Sequence, residues 1–501
     1  MPRSTVVFDN FKGGEYGRLE GWKAPNNSFR ASNILVNLQG ELMVRPGLVN
    51  RTPAGVVAGT VQGFGGVGVP TADAWYVQGN TVRVFDILAG NNLDTATGTL
   101  SGTPTSPVSS VVVTNVTYLT ALGLTGSYVL NTVPATPTLT ALTGAPGARA
   151  ITSYGDRLIL GDIEGSLDNR IRFSDALNVN SWPAGNFIDI GDNWGIRGMS
   201  PQRQHLVIAK QTGFYNLTGV PGVNPILRKV SNAPGPYKPL DMYVDPEDNL
   251  WFWPGGDEKF PGHYNGARSR FFTHLSNQIT LSASGETIPA TTGVQRTDHR
   301  FPAGAFFCST QNKGILLRDG IWTYHDFGVT TSGFVAQDSG RVLICDGGAP
   351  AVAPKFYIWN HWADTPGIVG GDQMMPGDDS TTALSGAVTF PEWWAESGAE
   401  VTVRSVIVDY RSWNNGAANN LHFDLKVTAL RRYNGDGFTD SNTVSWDDSP
   451  AGSSASGTVR RRVFGFGEQG VGNGFQLSFS DMRGIAIQRV EVVLDSNPVR
   501  V

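Results

Sequence analysis

The sequence predicts an all-β protein in which a β-propeller of six or seven irregular blades is followed by an antiparallel β-sandwich. The composition is the first reason: 62 Gly and 29 Pro occur in 501 residues, and only 16% of residues are charged. Such a mixture suits short strands joined by tight turns better than long surface helices. The second reason is the recurrence of short alternating apolar runs bounded by turn residues. The third is a loose repeat of these runs along the chain.

The clearest hairpin signal lies in residues 31–48, ASNILVNLQGELMVRPGL. Apolar and polar residues alternate on both sides of a turn at Gln39-Gly40, and the segment stops at Arg45-Pro46-Gly47. A second hairpin is predicted in residues 74–87, AWYVQGNTVRVFDI, around Gly79-Asn80. A two-residue turn that contains glycine is a strong local sign of paired antiparallel strands.

The repeat appears when strands that follow a polar turn are aligned on their first leucine. These leucines are Leu158, Leu206, Leu250 and Leu343. The first three are 48 and 44 residues apart. A spacing of this size, with several short strands in each unit, is typical of propeller blades. The stretch 267–300 interrupts the repeat and is interpreted as an insertion.

Four regions follow from these patterns. Residues 1–54 are predicted to form an N-terminal arm and hairpin that closes or docks on the propeller, and residues 55–365 the propeller itself. The turn-rich, acidic residues 366–390 are predicted to be a linker. Longer alternating strands, such as EVTVRSVIVDYR, then predict a compact sandwich in residues 391–501.

Sequence patterns that carry catalysis or bind a metal or cofactor were not found. The seven histidines are scattered, and the glycine-rich VQGFGGVGVP lacks the Lys-Ser/Thr of a phosphate loop. Acidic turns such as DPEDN are interpreted as ordinary turn chemistry, with a structural cation as the alternative. We therefore expect no catalysis, no cofactor and no metal.

The charge and hydropathy patterns restrict the environment of the chain. A formal net charge of −5 argues against a protein whose main task is to grip nucleic acid. The N-terminus, MPRSTVVFDNFKGG, has no apolar signal core, and no window approaches the length of a membrane span. We expect no membrane span and synthesis in a reducing cytoplasm.

The strand TVRRRVFGFG (458–467) is the sharpest basic feature. Strand alternation predicts that Arg460 and Arg462 point to one face and Arg461 to the other. One interpretation is an exposed edge protected by charge. The other is a contact with a second subunit, with a neighbouring protein or with a phosphate group. For this second interpretation we select Arg45, Arg460, Arg461 and Arg462 as candidate contact residues.

Three stretches, in this order, resemble one class of proteins. The first contains Phe11, Gly13 and Gly14, then Ala31, Asn33 and Val36, then Gly40, Leu42, Arg45, Pro46 and Gly47. The second is RLILGDIEGSLDNRIRFSDALNVNSWPAGNFIDIG (157–191), and the third is the strand VRSVIVD with the later arginine-rich strand. Together they resemble the β-propeller tail proteins of short-tailed bacteriophages, the tail nozzle or tail tubular protein B type and its relatives among tail-hub and DNA-stabilisation proteins.

This resemblance implies a non-enzymatic virion protein that forms a homo-oligomeric ring, a hexamer, below the portal and its adaptor. Double-stranded DNA would leave through the ring, other tail proteins and tail fibres would bind around it, and assembly would take place in the host cytoplasm. The chain has fewer insertions than the largest members of the class, which puts a fibre-docking platform in doubt.

Two alternatives remain open at this stage. A carbohydrate-binding or carbohydrate-cleaving receptor-recognition tail protein would use aromatic residues such as Trp251 as a sugar platform. A portal-adjacent plug would retain packaged DNA without forming a tube.

Overall fold

A computed structural model gives the architecture of the protein. It describes residues 3–11, 14–15, 28–36, 40–44, 49–53, 55–67, 74–86, 93–134, 136–163, 168–233, 235–236, 242–244, 248–252, 262–265, 269–271, 305–308, 313–318, 321–326, 331–336, 342–346, 351–359, 377–378, 382–383, 385–395, 399–412, 421–430, 441–448, 459–466, 471–483 and 485–497. Within these ranges all regular structure is strand and no helix occurs, so the predicted all-β class is confirmed.

The strands are numbered in chain order. The first thirty-two are β1 Arg3–Asp9, β2 Gly14–Glu15, β3 Ser28–Ser32, β4 Ile34–Val36, β5 Leu42–Val44, β6 Val49–Asn50, β7 Val61–Gly66, β8 Ala74–Gln78, β9 Thr81–Asp86, β10 Leu93–Thr99, β11 Ser109–Val113, β12 Val116–Thr120, β13 Tyr128–Asn131, β14 Thr138–Ala141, β15 Ala148–Tyr154, β16 Arg157–Ile163, β17 Arg170–Phe173, β18 Phe187–Asp189, β19 Ile196–Pro201, β20 Leu206–Lys210, β21 Gly213–Thr218, β22 Ile226–Ser231, β23 Met242–Val244, β24 Leu250–Phe252, β25 Gly262–Tyr264, β26 Ser269–Phe271, β27 Ala305–Cys308, β28 Lys313–Arg318, β29 Ile321–Asp326, β30 Thr331–Ala336, β31 Val342–Asp346 and β32 Lys355–Trp359. The remaining strands are β33 Gly377–Asp378, β34 Thr382–Ala383, β35 Gly386–Thr389, β36 Trp393–Trp394, β37 Glu400–Ser412, β38 Leu421–Leu430, β39 Ser441–Asp448, β40 Val459–Gly465, β41 Val471–Gly472, β42 Gly474–Arg483 and β43 Ile485–Asn497.

The propeller consists of consecutive four-stranded antiparallel sheets. Five of them use strands in chain order: β7–β10, β11–β14, β15–β18, β19–β22 and β23–β26. A sixth pairs β30, β31 and β32 with β6, and β27–β29 form a three-stranded sheet. In the described part of the chain the six four-stranded sheets agree with the lower of the two predicted blade counts. The three-stranded sheet is not counted as a blade, because β29 and most of β28 group with the residues of the sandwich.

The strands of one blade differ in how deeply their side chains are buried, and their residue types differ accordingly. The second strand is packed on both faces, and in β20 every residue from Leu206 to Lys210 is buried. The fourth strand is solvated, as in β22, where most side chains are exposed or half-buried. The four leucines that define the repeat lie on the second strand of their blades, namely β16, β20, β24 and β31. The repeat therefore marks equivalent positions in successive blades.

Apolar clusters join successive sheets. One cluster combines Trp75 with Leu119, and another combines Ile159 with Ile208. The first and last sheets share a cluster in which the Phe85 and Phe356 ring centroids are 4.6 Å apart. The Arg51 amide next to β6 also donates to the Phe356 carbonyl at 2.8 Å. A short strand from the N-terminal part of the chain thus completes the last blade.

The sandwich consists of two seven-stranded sheets. The first has the order β4-β5-β43-β37-β40, with β1 also on β43 and β41 on β37; the second has the order β2-β3-β35-β42-β38-β39, with β36 on β42. Their inner faces bury one large core that is rich in phenylalanine. Phe423 is at its centre, with ring contacts to Phe464 at 5.6 Å and Phe479 at 5.4 Å.

The N-terminal prediction needs a correction. Residues 1–49 group with residues 315–327 and 360–501, whereas residues 50–314 and 328–359 form the second compact unit. Strand β1 pairs along β43, and β5 pairs with the same strand at Ala486 and Ile487. Residues 1–49 therefore belong to the sandwich, because β1 and β5 both pair with the long strand β43. Local alternation in the sequence predicts strands but does not identify which strand each one pairs with.

The predicted linker is also shorter than expected. Strand β35, at the end of the 366–390 segment, pairs with β3 and β42 inside a sandwich sheet. Strands β33 and β34 form a small hairpin in the same segment. Residues 366–376 lie outside the described residues.

The predicted hairpin of residues 31–48 is confirmed, since Ile34 pairs with Val44 and Val36 with Leu42. Asn33 has a φ of 58° and donates its side-chain amide to the Ser385 carbonyl at 3.3 Å. Because β3 and β4 lie in different sheets, this left-handed residue turns the chain from one sheet to the other. Asparagine tolerates that conformation better than most side chains.

Candidate interaction surface

Strand β40, which carries three of the four candidate residues, is an edge strand of the sandwich. It pairs with β37 from Ser405↔Gly465 to Arg411↔Val459. No other described strand pairs with its outer edge. Val459 is 48% exposed and Val463 is 63% exposed. A sheet edge with exposed β-branched residues can accept a strand or a surface of another chain.

The outer face of this sheet carries a row of alternating charges, which we call the charge ladder. The strand registers place Asp9, Arg489, Asp409 and Arg461 side by side on four neighbouring strands. Arg461 donates to both Asp409 carboxylate oxygens, at 2.7 and 2.8 Å. Its guanidinium also lies 3.7 Å from Glu491, which pairs with Arg489 at 2.9 Å.

These contacts affect titration. The hydrogen bonds from Arg461 lower the pKa of Asp409, and the same contact raises the pKa of Arg461. Both groups stay charged at neutral pH. Arg461 is therefore held by its own subunit, and the remaining exposed part of its side chain is what a neighbour could contact.

The other face of β40 points into the sandwich. Phe464 is 8% exposed and belongs to the core, and Arg462 lies over the Trp446 ring at 5.9 Å. The predicted alternation is thus confirmed for Arg461 and Arg462. Arg460 is half-buried and stands opposite Tyr410. Arg45 lies outside the described residues. Contact with a neighbouring protein stays a prediction for all four.

The propeller contains a buried lysine that sequence reasoning missed. Lys210 is fully buried and donates to the carbonyls of Ile190 and Asp192 and to the Asp192 carboxylate, the last at 2.8 Å. Asp192 also accepts from Thr212 at 2.9 Å and Tyr215 at 3.1 Å. We call these four side chains, Lys210, Asp192, Thr212 and Tyr215, the Lys210 cluster.

The pKa directions agree with this geometry. Burial lowers the pKa of Lys210, although its contacts with Asp192 oppose the change. Desolvation acts to raise the pKa of Asp192, but hydrogen bonds from Lys210 and Thr212 outweigh it and lower the pKa to about 2. All three donors of the ammonium group are satisfied by protein oxygens. The cluster therefore fastens the segment after β18 to the next blade and offers no reactive amine.

A second polar cluster stabilises the first blade. Tyr76 donates to Asp94 at 3.0 Å, and Arg83 pairs with the same carboxylate oxygen at 2.7 Å. Burial is the main cause of a raised pKa of Tyr76, and the charge of Asp94 adds to it. Tyr76 also packs against Phe356 of the last blade, with ring centroids 5.0 Å apart. This cluster, too, is part of the framework.

Two other kinds of site were considered, a metal site and an aromatic platform for a sugar. Within the described ranges no group of three or more His, Cys, Asp or Glu could hold a metal ion. Trp251 is 6% exposed, and its ring lies 4.7 Å from that of His263. A buried tryptophan is not accessible as a platform for a sugar. The described residues also contain no helix that is long and apolar enough to cross a membrane.

Comparisons with known proteins yield similarity in fold alone. No protein-family model matches the chain, and no curated protein matches it. A structure described as YCF48 bound to D1 peptide is 12% identical, covers 63% of this chain and 97% of its own, and has a TM-score of 0.39. A chain of the mitotic checkpoint complex is 12% identical, with 62% and 92% covered and a TM-score of 0.40. The extracellular domain of the putative one-component system BT4673 from B. thetaiotaomicron is 9% identical, with 88% and 61% covered and a TM-score of 0.44.

Proposed function

We propose that the chain is a non-catalytic structural subunit of a bacteriophage tail. Six copies would form a ring below the portal-adaptor, and double-stranded DNA would pass through that ring during ejection. The subunit would be made in the host cytoplasm and end in the virion tail. Adaptor and other tail proteins, including fibres, would be its neighbours.

The observation that carries the proposal is the place of the motif residues in the fold. Asn33 turns the chain between two sheets and binds the Ser385 carbonyl. Asp175, in the second motif, accepts hydrogen bonds from Ser181 and Asn186 of its own loop. Asp409, in the third, is bound by Arg461. Each motif is thus used to build the framework, which is what a structural subunit requires.

The exposed edge β40 supports the oligomeric part of the proposal. Rings are built from heterologous contacts, in which one surface of a copy binds a different surface of the next. An edge strand with exposed Val459 and Val463 beside fixed arginines has the mixed apolar and charged character of such a contact. A modest negative net charge would also let DNA pass without trapping it, since each phosphate contact strengthens and slows a complex.

The test is to find the chain in purified particles and to image the assembly. We expect mass spectrometry to detect it in tailed particles and electron microscopy to show a six-fold ring with a channel wide enough for duplex DNA. Absence from purified particles, or presence there as a single globule, would contradict the proposal. Presence only in DNA-filled heads without tails would favour the plug instead.

A receptor-recognition role remains the second candidate, and it now depends on a different residue. Trp251 is buried, but Trp194 is 53% exposed in the segment after β18. An exposed tryptophan can stack against a sugar ring. Binding on a glycan array that is lost in Trp194→Ala and retained in Trp251→Phe would favour this role.

A further inference from the structure

The sandwich has one side at which the last strands of both sheets lie together. In the strand order of the described residues, β40 is the last strand of the first sheet and β39 is the last strand of the second. The guanidinium carbon of Arg462, on β40, lies 5.9 Å from the centroid of the Trp446 ring, on β39. The two strands are therefore on the same side of the sandwich. We call this side, including the gap between the two sheets, the β39–β40 flank.

The two strands of this flank differ in charge. β40 carries three consecutive arginines, Arg460–Arg462, and charged side chains on an edge strand discourage pairing with another strand. β39 has no charged residue and no proline from Ser441 to Trp446. Within the described ranges, β38 is the strand that pairs with β39, and its other side has no partner strand. An added strand would therefore meet an edge without protective charge at β39.

Two hydrogen-bond donors near Trp446 lack an acceptor. Arg462 is exposed and forms no ion pair with the residues that the structure describes. The Tyr410 side chain is fully buried, and its hydroxyl has no hydrogen-bond partner among the described residues. The Tyr410 and Trp446 ring centroids are 5.1 Å apart. A buried hydroxyl without a partner is costly, and a guanidinium binds carboxylates well. Both groups thus favour an anionic acceptor at this indole.

A strand added to β39 would bring such an acceptor to this place. Every second side chain of a strand points to the same face, and Val444 and Trp446 of β39 pack against the core in this way. An added strand would therefore also place alternate side chains towards the gap between the sheets. Its main chain would supply affinity, and these side chains would supply specificity. An acidic side chain beside Trp446 would attract Arg462, whereas a basic one would be repelled.

We propose that the β39–β40 flank binds an extended segment of another protein, which adds to β39 as a strand and places one carboxylate at Arg462 and Tyr410. The inward-facing residue of this segment beside Trp446 is acidic, and the inward-facing residues on either side of it are apolar. Strand β40 of a second copy does not fit, because it would bring further arginines to Arg462. This inference goes beyond the proposed function and does not depend on the ring.

The first test measures the binding of a defined peptide to the full chain. The probe is a fluorescein-labelled peptide of sequence Thr-Val-Thr-Glu-Thr-Val-Thr, compared with the same peptide carrying Gln in place of Glu. We expect saturable binding in fluorescence anisotropy, with the Gln peptide at least about tenfold weaker because hydrogen bonds to a charged group are lost. Equal binding of the two peptides, or no binding of the Glu peptide, would overturn the inference.

A pair of neighbouring arginines separates a specific contact from general attraction. Arg462→Gln should weaken binding of the Glu peptide by a similar factor and should have little effect on the Gln peptide, as expected for two groups in contact. Arg461→Gln is the matched control, because Arg461 points to the other face of β40 and is bound by Asp409. Equal losses in the two variants would show attraction by net charge alone and would overturn the inference.

The buried hydroxyl has its own test. Tyr410→Phe removes only an oxygen that has no described partner, so its melting temperature should be no lower than that of the wild type. We expect it to bind the Glu peptide at least about threefold more weakly, because a hydrogen bond to the carboxylate is lost. Unchanged affinity would show that Tyr410 is not part of the site.

Amide hydrogen exchange identifies the strand that the peptide joins. We expect the peptide to slow exchange in β39 and to leave exchange in β40 unchanged. Protection of β40 alone would mean that the peptide adds to the arginine-rich edge and would overturn the inference. Self-association of the chain that the Glu peptide does not displace from β39 would also overturn it, since the flank would then be a contact between copies.

Discussion

The Lys210 cluster and the charge ladder place the same chemical pair, a cation and an aspartate, in opposite environments. Lys210 is fully buried and bound by three oxygens, whereas the Arg461 side chain is 56% exposed and binds Asp409 on an open sheet face. Both have good hydrogen-bond geometry. The two pairs differ in the environment of the charge that remains when one member of the pair is removed.

That difference determines what each pair can do for the protein. Removing one member of a buried pair leaves a desolvated charge, which is costly, whereas water solvates the remaining member of an exposed pair. The propeller can therefore use its cluster only to hold blades together. The ladder contributes little to folding and is free to be shared with another chain, which is the role suggested for β40.

The largest expected effect is the loss of the buried lysine. Lys210→Met keeps the length of the side chain but removes the positive charge that pairs with the Asp192 carboxylate and the donor to the Ile190 carbonyl. We expect a loss of about 3–5 kcal/mol in the free energy of unfolding, measured by urea denaturation. Lys229→Met is the matched control, because Lys229 is exposed and its ammonium lies 5.7 Å from the same Tyr215 ring. If both variants lost the same free energy of unfolding, burial of Lys210 would not account for its contribution to stability.

A pair of glycines tests how tightly the Lys210 cluster is enclosed. Gly191 has a φ of 55°, and a Cβ there would lie 2.6 Å from the Tyr215 hydroxyl. Gly191→Ala should cost about 2–3 kcal/mol, from backbone strain together with overpacking. Gly79→Ala has similar strain, with a φ of 62° and no atom within 4 Å of the new Cβ, and should cost only about 1 kcal/mol. Chemical denaturation of both variants gives the comparison, and equal costs would argue against close contact in the cluster.

Acid should weaken the Lys210 cluster in a defined pH range. The pKa of Asp192 is lowered to about 2, below its ordinary value near 3.9 in an unfolded chain. A lowered carboxyl pKa contributes stability above the unfolded value, and this contribution is lost as the pH falls from about 4 towards 2. After allowance for the partial exposure of Asp192, we expect a loss on the order of 1 kcal/mol. Urea unfolding at pH 6 and pH 3 measures it, and a Lys210→Met variant with the same pH dependence as the wild type would contradict this origin.

The smallest expected effect belongs to the ladder. Arg461→Ala should shift the melting temperature by less than about 2 °C, because an exposed ion pair contributes little and is screened by salt. Arg461→Gln, which keeps most of the side chain, is the control. A large shift at high salt would show that Arg461 is part of a buried network, and the contrast between the two regions would fail.

Local sequence patterns were sufficient for much of the fold. Alternation and a glycine turn predicted the hairpin of β4 and β5, and the apolar run that begins at Leu206 predicted a strand of the repeat. The orientation of Arg461 against Arg462 followed from the two-residue period of a strand. These features depend on neighbours in the chain, which is why reading along the sequence finds them.

The same patterns could not supply long-range pairing. Nothing in β1 or β5 specifies β43 as a partner, so the assignment of residues 1–54 to the propeller was wrong for residues 1–49 and correct only for their continuation, which completes the last blade. The apolar run that ends in Lys210 gave no sign that acceptors lie in a segment around Ile190 and Asp192, in a different blade. Leu177 looks like any loop leucine until its φ and exposure are known.

By itself the sequence determined the all-β class, the blade-like repeat and the places where the chain turns, because these follow from side-chain periodicity and backbone preferences of single residues. Only the tertiary structure decided which edges pair, which charges are buried and which apolar residues are left outside. Those outcomes depend on water being excluded between segments far apart in the chain, and a buried lysine and an exposed arginine become different only when that has happened.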